Sequence, residues 1–571
     1  MIRFLQKLAL GVCLVTLTTG TLFVGHTIAA PSARNGKTWE NEKKALFDIV
    51  IENGRVVDGA SNPWFKSDIG IKDGKIARIG SLKNAPARER IDATGLYVSP
   101  GFIDIHSHSD AMPFMQNPDT GKLLQGVTTE LVGNCGVSMT PWSPRNLDLL
   151  KKYFTPFSND TPLSWDWPKA KDLMAAAEKT HPVLNFGYLV GHGAIRIAVM
   201  GNADREPTAE ELEKMKALAV ESVRDGAFGM STGLVYPPGV YSKPEEIIAI
   251  CKAIAPLGGI YTTHIRSETD EVATAVQEAI EVAEKAGIPV QISHHKTAGV
   301  ANWGKSAQTL KLISEARARG LDVTFDVYPY TSASTALAIL LPPWALEGSD
   351  QEVIARLKSP DSRARIKKEL EEGLPGWQNT YKASGWDKIL IAWTKNNKSY
   401  EGKTMAEIAA QKGLDPADAL FSVLLEEEGT PFMIVFMMHE DDITAIMQHP
   451  AAMIASDGML SAGKPHPRYY GTFPRVLGKY VRQEKKLTLE EAIHKMTSAP
   501  AQRLSIRDRG LIKEGMWADI TVFNADTVED KATYLAPQQA PEGIEYVLVN
   551  GQVEVRKGKH TGQRAGMVLR R

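Results

Sequence analysis

The stretch Gly101-Phe102-Ile103-Asp104-Ile105-His106-Ser107-His108 places two histidines at the end of a short apolar run. Residues i and i+2 of a β-strand point to the same face, so His106 and His108 would lie side by side where the strand ends. Two adjacent imidazoles can bind one divalent metal ion. A pair of surface histidines is the alternative. It is disfavoured because residues of metal-ligand type also follow other strand-like runs.

Eight apolar, strand-like runs occur along the chain. They are Tyr97–Ile105, Val127–Val132, Val183–Val190, Ala227–Met230, Gly259–Thr263, Val290–Ser293, Asp322–Val327 and Ala452–Ser456. Helix-like segments separate many of them, and this alternation is typical of a (β/α)8 barrel. The predicted fold is therefore α/β, with a TIM-like barrel over residues 99–500. We expect a mostly helical insertion, about 341–448, beside the active site.

Both ends of the remaining chain resemble β structure. Asn53-Gly54, Asp73-Gly74 and Asn550-Gly551 are turn-type dipeptides between alternating apolar residues, a pattern that predicts hairpins. Residues 47–98 and 501–571 would therefore pair into one small β-sandwich domain, with the barrel inserted between its two parts.

The N-terminal segment has a different composition. Arg3 and Lys7 precede an apolar run from Leu8 to Ala30 that contains no acidic residue. This pattern predicts a signal peptide over residues 1–30, followed by a linker over 31–46. The run is long for a signal peptide, so an uncleaved membrane anchor is the alternative. Either way the protein would be exported, periplasmic or secreted.

Composition and charge exclude other function classes. The net charge is -1 with no long basic run, which gives no case for nucleic-acid binding. An apolar share of 43% and a charged share of 23% are ordinary for a globular protein. Outside the N-terminal segment only Cys135 and Cys251 remain, so we expect no disulfide framework. Cys251 lies in a helix-like run and is expected in the core.

Side chains of metal-ligand type follow five of the predicted strands. The carboxyl ends of all strands in a (β/α)8 barrel meet at one mouth, so these side chains would converge. Imidazole, thiolate and carboxylate are all zinc ligands. Neighbouring strand residues point to opposite faces, so only one of two adjacent histidines can face the mouth. The predicted ligands are His106, His108, Cys135, His264, His294 (or His295) and Asp457. The flanking Gly133 and Gly136 indicate that Cys135 lies in a loop with special backbone angles.

Five motifs carry a family resemblance. They are Asn134-Cys135-Gly136, Ser231-Thr232-Gly233-Leu234-Val235-Tyr236-Pro237-Pro238, Ser293-His294-His295-Lys296, Ser456-Asp457-Gly458 and His466-Pro467-Arg468-Tyr469-Tyr470-Gly471-Thr472-Phe473-Pro474-Arg475. Together with the two opening histidines, they resemble the D-aminoacylases (N-acyl-D-amino-acid deacylases) of the amidohydrolase superfamily. Many superfamily members bridge two metals with a carboxylated lysine from strand four, whereas strand four here ends in Ser231-Thr232-Gly233. The resemblance covers roughly Phe47 to Gly551.

The resemblance implies roles for the predicted ligands. Cys135 and His264 would hold a tight zinc ion, with His294 beside them. A second, weaker metal position would comprise His106, His108 and Asp457. Asp457 would also be the catalytic general base.

The resemblance further implies a substrate site. Tyr236 would lie near the reacting carbonyl, and the α-carboxylate would be bound by Lys296, Tyr328, Ser334 and Arg468. An arginine fork matches a carboxylate, and a lysine adds charge. Solvated charges and packing aromatics are the structural alternatives for the cationic and aromatic members.

These inferences predict a zinc-dependent hydrolase that cleaves the amide of N-acyl-D-amino acids, giving a carboxylic acid and a free D-amino acid. The expected partner is this small-molecule substrate, with no nucleic acid, and with a membrane only if the N-terminal segment is uncleaved. A metal-dependent dipeptidase or a cyclic-amide hydrolase such as a hydantoinase is the alternative. A non-catalytic exported zinc-binding protein is a further one.

Overall fold

A computed structural model of the protein describes residues 46–158, 161–460 and 462–571. The predicted signal segment, residues 1–30, lies outside the described residues. Within the described part of the chain, no helix combines the length and the hydropathy needed to cross a bilayer.

The described strands fall into the barrel, a β domain and a small sheet beside the barrel mouth. They are β1 (Phe47–Val56), β2 (Phe65–Lys72), β3 (Lys75–Gly80), β4 (Ala87–Asp92), β5 (Tyr97–Pro100), β6 (Phe102–Asp104), β7 (Ser107–His108), β8 (Val127–Val132), β9 (Asn185–Tyr188), β10 (Val190–Gly191), β11 (Gly229–Gly233), β12 (Ile260–His264), β13 (Val290–Ile292), β14 (Val323–Val327), β15 (Ser332–Ala336), β16 (Ile389–Trp393), β17 (Phe432–Phe436), β18 (Ala452–Ile454), β19 (Gly458–Met459), β20 (Ile520–Phe523), β21 (Ile544–Val549), β22 (Gln552–Arg556) and β23 (Lys559–His560).

The α-helices of the described residues lie mostly between the barrel strands and in the insertion. They are α1 (Leu147–Phe154), α2 (Ala170–Lys179), α3 (His192–Met200), α4 (Ala209–Arg224), α5 (Pro244–Ile254), α6 (Val272–Ala286), α7 (Ser306–Ala318), α8 (Asp350–Lys358), α9 (Pro360–Glu372), α10 (Thr380–Ser384), α11 (Met405–Lys412), α12 (Pro416–Glu426), α13 (Glu440–Gln448), α14 (Arg468–Arg475), α15 (Leu489–Met496) and α16 (Ser498–Arg503).

The barrel strands pair in parallel and follow chain order. One part of the barrel has the order β6-β8-β9, and the other has the order β10-β11-β12-β13-β14-β18. The first and last strands meet through β7 and β19, where Ser107 pairs with Gly458 and His108 pairs with Met459. The predicted (β/α)8 barrel is thereby confirmed. The closing pair lies at the opening histidine motif.

Burial and capping explain why these segments form barrel units. Every residue of β8, β11, β12 and β14 is buried, as expected for parallel strands covered by helices. Helix α4 begins at a capping box in which Thr208 and Glu211 satisfy each other's backbone amides. Helix α6 ends at Gly287, whose φ of 62° supplies a left-handed C-cap.

The two chain ends join in one nine-stranded sheet. Its order is β23-β22-β21-β20-β5-β1-β2-β3, with β4 also pairing with β1. The antiparallel pairing of β20 with β5 links the C-terminal part to the N-terminal part. The predicted hairpins at Asp73-Gly74 and Asn550-Gly551 are confirmed. The hairpin predicted at Asn53-Gly54 is wrong: β1 continues through these residues, and its register with β2 shifts between Ile51 and Gly54 as in a β-bulge.

The insertion contains strands as well as the expected helices. Strand β17 pairs antiparallel with both β16 and β15. Because β15 follows directly after barrel strand β14, this small sheet begins at the barrel mouth. The run Phe432–Phe436 is wholly apolar and nearly all buried, a composition that fits a strand packed on both faces.

Candidate metal centre and active site

Three predicted ligands have left-handed backbone conformations. Cys135, His294 and Asp457 have φ angles of 51°, 37° and 48°. Non-glycine residues rarely adopt this region, and those that do cluster at functional sites. Each of the three follows shortly after a barrel strand, so the chain turns sharply where a ligand-type side chain stands.

The loop around Cys135 requires its glycines. Gly133 and Gly136 have φ angles of 80° and 75°, which confirms the expectation of special backbone angles. A Cβ atom on Gly133 would lie 2.0 Å from the carbonyl oxygen of Leu189. A larger residue at Gly133 would therefore displace the loop that positions Cys135.

Four of the predicted ligands form one buried cluster. The donor atoms of His106, Cys135, His294 and Asp457 all lie within 4.8 Å of one another. The Cys135 Sγ is 3.3 Å from the His106 Nε2 and 3.5 Å from the His294 Nε2. The Asp457 Oδ1 is 3.3 Å from the Nε2 atoms of both His106 and His108. His108 therefore lies at the edge of this cluster.

His264 belongs to a second group that adjoins the first. This group comprises His264, Glu268 and His294, and the His264 Nδ1 lies 3.0 Å from the His294 Nε2. The resemblance implied that Cys135 and His264 share one metal, whereas the compact four-residue cluster around Cys135 contains His106 and Asp457. His294 is common to both groups, so one histidine joins the two clusters of donor atoms.

The alternative between His294 and His295 is resolved by their contacts. The His295 Nε2 lies 2.9 Å from the Thr309 Oγ1, and its ring packs on Phe325. His295 is therefore held by the surrounding helix and strand, and His294 faces the mouth.

Two carboxylates that the sequence reasoning missed orient the histidines. The Asp326 Oδ1 lies 3.1 Å from the His106 Nδ1 and accepts from the backbone N–H of His294 at 2.7 Å. Glu268 lies 3.0 Å from the His294 Nδ1 and accepts from Lys296 at 2.5 Å. A carboxylate on Nδ1 leaves Nε2 as the metal-binding nitrogen. Glu268 lies four residues after His264, in the loop that follows strand β12. An acidic residue at that position is the sequence feature that could have indicated its role beside the histidines.

The electrostatics of the cluster favour metal-binding protonation states. Burial opposes ionisation of Cys135, but His106 and His294 lower the pKa of its thiol well below the usual range. Burial likewise opposes protonation of His106, but Cys135, Asp326 and Asp457 raise its pKa well above the usual range. The thiolate and carboxylate are thus balanced here by imidazolium charge. A divalent cation would supply the same positive charge and release those protons.

The residues present fit a zinc ion. Thiolate, imidazole and carboxylate form a donor set that zinc prefers. The His264 Nε2 is buried without a hydrogen-bond partner among the described residues, and the Glu268 carboxylate oxygen paired with it lies 3.7 Å away. A buried polar nitrogen left without a partner is costly, and a metal ion would satisfy it.

The predicted carboxylate-binding residues line the same cavity, which has a volume of about 250 Å3. Arg468 places its Nη1 2.8 Å from the Asp457 Oδ2, and its Nη2 donates to the Ser334 carbonyl. The Arg468 guanidinium and the Lys296 ammonium both lie over the Tyr328 ring, 4.6 and 5.4 Å from its centroid. Both cations are buried, so they are not the solvated surface charges of the structural alternative.

Tyr236 also lies at the centre. Its ring packs edge-on against His264 with centroids 5.0 Å apart. Its hydroxyl accepts a hydrogen bond from the Thr335 Oγ1 at 3.1 Å. The phenolic proton therefore remains available to a group in the cavity.

A buried ionic network below the cluster was not expected from the sequence. The Lys122 ammonium contacts the carboxylate of Asp104, the hydroxyl of Ser456 and, at 3.3 Å, a carboxylate oxygen of Glu130. Lys122, Asp104 and Glu130 are each 0% exposed. The Asp104 Oδ1 also accepts from the backbone N–H of Ser456 at 2.9 Å. This network joins strands β6 and β8 to Ser456, which follows β18 and directly precedes Asp457.

Comparisons with known proteins show what the whole chain is similar to. The model of the amidohydrolase family matches residues 89–555. N-acyl-D-glutamate deacylase of Alcaligenes xylosoxydans xylosoxydans is 39% identical over 527 residues, which is 92% of this chain and 97% of that protein. D-aminoacylase of the same organism is 36% identical over 529 residues, covering 92% and 98%. A crystal structure of N-acyl-D-glutamate deacylase from Bordetella bronchiseptica, with zinc and a phosphonate inhibitor, superposes with a TM-score of 0.78 at 36% identity, covering 92% and 100%.

Proposed function

The chain belongs to the amidohydrolase family, and on that premise we propose that it hydrolyses the amide bond of N-acyl-D-amino acids. The products would be a carboxylic acid and a free D-amino acid. The observation that carries this proposal is the position of Arg468, whose Nη1 lies 2.8 Å from Asp457 of the donor cluster. A substrate carboxylate held by Arg468 and Lys296 would thus bring the amide beside the cluster. The relatives named as deacylases support the same reaction.

We assign zinc to the donor cluster, held by His106, Cys135, His294 and Asp457, with a second and weaker divalent position beside His264 and Glu268. A bound zinc ion polarises the scissile carbonyl and lowers the pKa of water. The protein's own residues then bind, orient and exchange protons with the substrate.

Asp457 is proposed as general base and then general acid. Burial opposes its ionisation, but Arg468, His294 and His106 hold the pKa of its carboxyl well below the usual range. It is therefore ionised and able to accept a proton, although a very low pKa makes a weak base. A substrate carboxylate that draws Arg468 away from Asp457 would raise the pKa of Asp457. Substrate binding would thus strengthen the base.

Tyr236 is proposed to stabilise the developing oxyanion. Burial, followed by the charge of Cys135, raises the pKa of its phenol well above the usual range. The phenol therefore keeps its proton and can donate it in a hydrogen bond as negative charge develops on the carbonyl oxygen. Lys296, Tyr328, Ser334 and Arg468 would hold the α-carboxylate and fix the chirality that the site accepts.

We also propose that the protein works outside the cytoplasm. The support is the charge and hydropathy pattern of residues 1–30. The two described cysteines, Cys135 and Cys251, are buried and unpaired, and zinc on Cys135 would protect its thiolate from oxidation. Fractionation of expressing cells would find the protein in the periplasm or medium. Recovery of the full-length chain in the cytoplasm would refute this.

The reaction is tested with a panel of N-acetyl-D- and N-acetyl-L-amino acids, D- and L-dipeptides and hydantoins. The expected result is turnover of the N-acetyl-D-amino acids alone. Preferred turnover of dipeptides or hydantoins would instead support a dipeptidase or a cyclic-amide hydrolase. Asp457→Asn should lower kcat by at least about 100-fold, and a variant with wild-type kcat would exclude Asp457 as the base.

The metal assignment has a matched pair of variants in adjacent histidines. His294→Asn should lose most of the bound zinc, because His294 joins both donor groups. His295→Asn is the control, because His295 is equally buried but contacts Thr309 instead. Zinc is counted per chain by elemental analysis of the purified proteins. Equal zinc in the two variants would remove His294 from the ligand set.

A further inference from the structure

We propose that the active site selects N-acyl-D-amino acids with uncharged, apolar side chains and discriminates against D-glutamate and D-aspartate derivatives. The insertion supplies the apolar wall that makes this choice. The proposal rests on the proposed function and narrows its substrate class.

The apolar wall is the apolar part of the surface that the insertion presents to the cavity, where it adjoins the polar Gln378 and Thr380. It consists of Leu346, Phe432, Val435 and Met437. Phe432 and Val435 lie on strand β17 and pair with Ala336 and Ala333 of β15. The wall is therefore continuous with the strand that carries Ser334 of the proposed carboxylate site.

The insertion is tied to the catalytic loops. The Gln378 Oε1 accepts from the backbone N–H of Glu268 at 2.7 Å. Phe157 packs against His108 with ring centroids 5.2 Å apart and meets Phe432 edge-on at 6.1 Å. A row of rings thus runs from His108 at the donor cluster to the apolar wall, so an apolar surface begins directly beside the metal centre.

The position of the wall points to the amino-acid side chain. In an N-acyl-D-amino acid the side chain and the α-carboxylate are attached to the same carbon atom. A carboxylate held near Ser334 therefore places the side chain within reach of β15 and of its neighbour β17. An apolar side chain gains from burial against this wall in proportion to its area.

A second carboxylate on the substrate would find no buried cation. Lys296 and Arg468 are already engaged with Glu268 and Asp457 and serve the α-carboxylate. Among the described residues that line the cavity, Lys152 is the one further lysine or arginine, and the histidines there belong to the proposed metal centre. Lys152 lies exposed at the cavity rim, where water screens its attraction for a carboxylate. Burying an unpaired carboxylate is strongly unfavourable.

The test compares kcat/KM of the full, zinc-loaded enzyme for N-acetyl-D-leucine, -D-methionine, -D-glutamate and -D-aspartate. We expect the neutral substrates to exceed the acidic ones by about 100-fold. Equal or better turnover of the acidic substrates overturns the proposal but leaves the proposed function intact. Absence of turnover on all four overturns both. A larger dependence on acyl length than on the side chain, measured with hexanoyl derivatives, would also overturn it, because the wall would then bind the acyl group.

Three variants separate the wall from the rim. Leu346→Lys places a cation in the half-buried part of the wall and should shift the D-leucine to D-glutamate ratio towards D-glutamate by about tenfold or more. Leu414→Lys adds the same charge to an exposed part of the insertion and should leave the ratio unchanged. Lys152→Met should change all four substrates alike, by less than about threefold. A selective loss of D-glutamate turnover in Lys152→Met would identify the rim lysine as a side-chain carboxylate receptor and overturn the proposal.

Discussion

Replacing Lys122 by Met tests whether the buried ionic network behind Asp457 supports both folding and catalysis. The Lys122 ammonium is the cation that contacts both Asp104 and Glu130 in a fully buried setting. Met preserves most of the side-chain volume but leaves the carboxylates without it. Removing one partner of a buried ion pair costs about 3–5 kcal/mol, because the other charge stays buried without compensation.

The expected size of the change follows from the protonation of the two acids. Burial raises the pKa of Glu130 more than the charge of Lys122 lowers it, so the pKa lies above its usual value. Glu130 can therefore take a proton and become neutral, whereas the buried Asp104 carboxylate loses the ammonium group that contacts it. With an unfolding entropy of about 2.1 cal/mol/K per residue over roughly 500 residues, 1 kcal/mol corresponds to about 1 °C. Lys122→Met should thus lower Tm by about 3–5 °C.

A double variant identifies the cause of that loss. Asp104→Asn removes the stranded charge and keeps the oxygen that accepts from the Ser456 amide. The double variant Lys122→Met with Asp104→Asn should recover at least about half of the stability that Lys122→Met loses, which is roughly 2 kcal/mol. Thermal scans at one fixed rate provide Tm, and steady-state kinetics provide kcat. A Tm within 1 °C of wild type for Lys122→Met, or additive effects in the double variant, would refute the reasoning.

Three further outcomes follow from other contacts. Tyr534→Phe removes a hydroxyl that lies 2.7 Å from the Ser332 Oγ, and that Oγ lies 2.7 Å from the His466 Nε2, two residues before Arg468. Losing this hydrogen bond costs about 1 kcal/mol and should raise KM about fivefold with kcat nearly unchanged. An unchanged KM would contradict this role. Gly133→Ala should lose at least half of the bound zinc, because its Cβ would lie 2.0 Å from a backbone oxygen. The control Gly287→Ala should keep its zinc, because Gly287 is also left-handed but a Cβ there has nothing within 4 Å. Equal zinc contents in the two variants would contradict this prediction. Burial lowers the pKa of Lys495 to about 8 in the folded protein, so the unfolded chain binds this proton more tightly. The contribution of Lys495 to the free energy of unfolding therefore rises between about pH 8 and about pH 10.5, by about 3 kcal/mol in all. Lys495→Met should remove that rise, and parallel Tm-against-pH curves for the variant and wild type would exclude it.

Hydrophobic periodicity made the barrel predictable, but not every turn within it. Eight apolar runs separated by helices have few alternatives as a fold. The hairpin predicted at Asn53-Gly54 was wrong because a left-handed residue, here Asn53 with a φ of 65°, occurs in β-bulges as well as in hairpin turns. Neighbouring strands decide between the two, and β4 and β5 both pair with β1.

The residues of the donor cluster could be identified from their types, but the distances between them could not be read from the sequence. His106, Cys135 and Asp457 are recognisable because imidazole, thiolate and carboxylate follow strands whose carboxyl ends converge. Which of them share an ion depends on distances between strands, and those depend on barrel geometry. The carboxylates of Glu268 and Asp326 were missed for a related reason. A hydrogen bond to a histidine Nδ1 leaves no spacing pattern in the sequence.

The left-handed conformations of the ligands show how the barrel itself positions them. A non-glycine residue in this region costs roughly 1–2 kcal/mol, so it persists only where neighbours hold it. The backbone N–H of Asp457 donates to the carbonyl of His106 at 2.9 Å, and that of His294 donates to Asp326 at 2.7 Å. The amide of Gly136, next to Cys135, donates to the Ser231 Oγ at 3.0 Å.

Each strained turn therefore donates a backbone hydrogen bond to a residue in or next to another barrel strand. Because these hydrogen bonds hold the ligand-type side chains in place, little conformational entropy is lost when a metal ion binds, and its affinity is correspondingly higher. The same hydrogen bonds contribute to folding. Variants that loosen one of these turns should consequently lose metal affinity and stability together, whereas a variant that removes only a donor atom should lose mainly the metal.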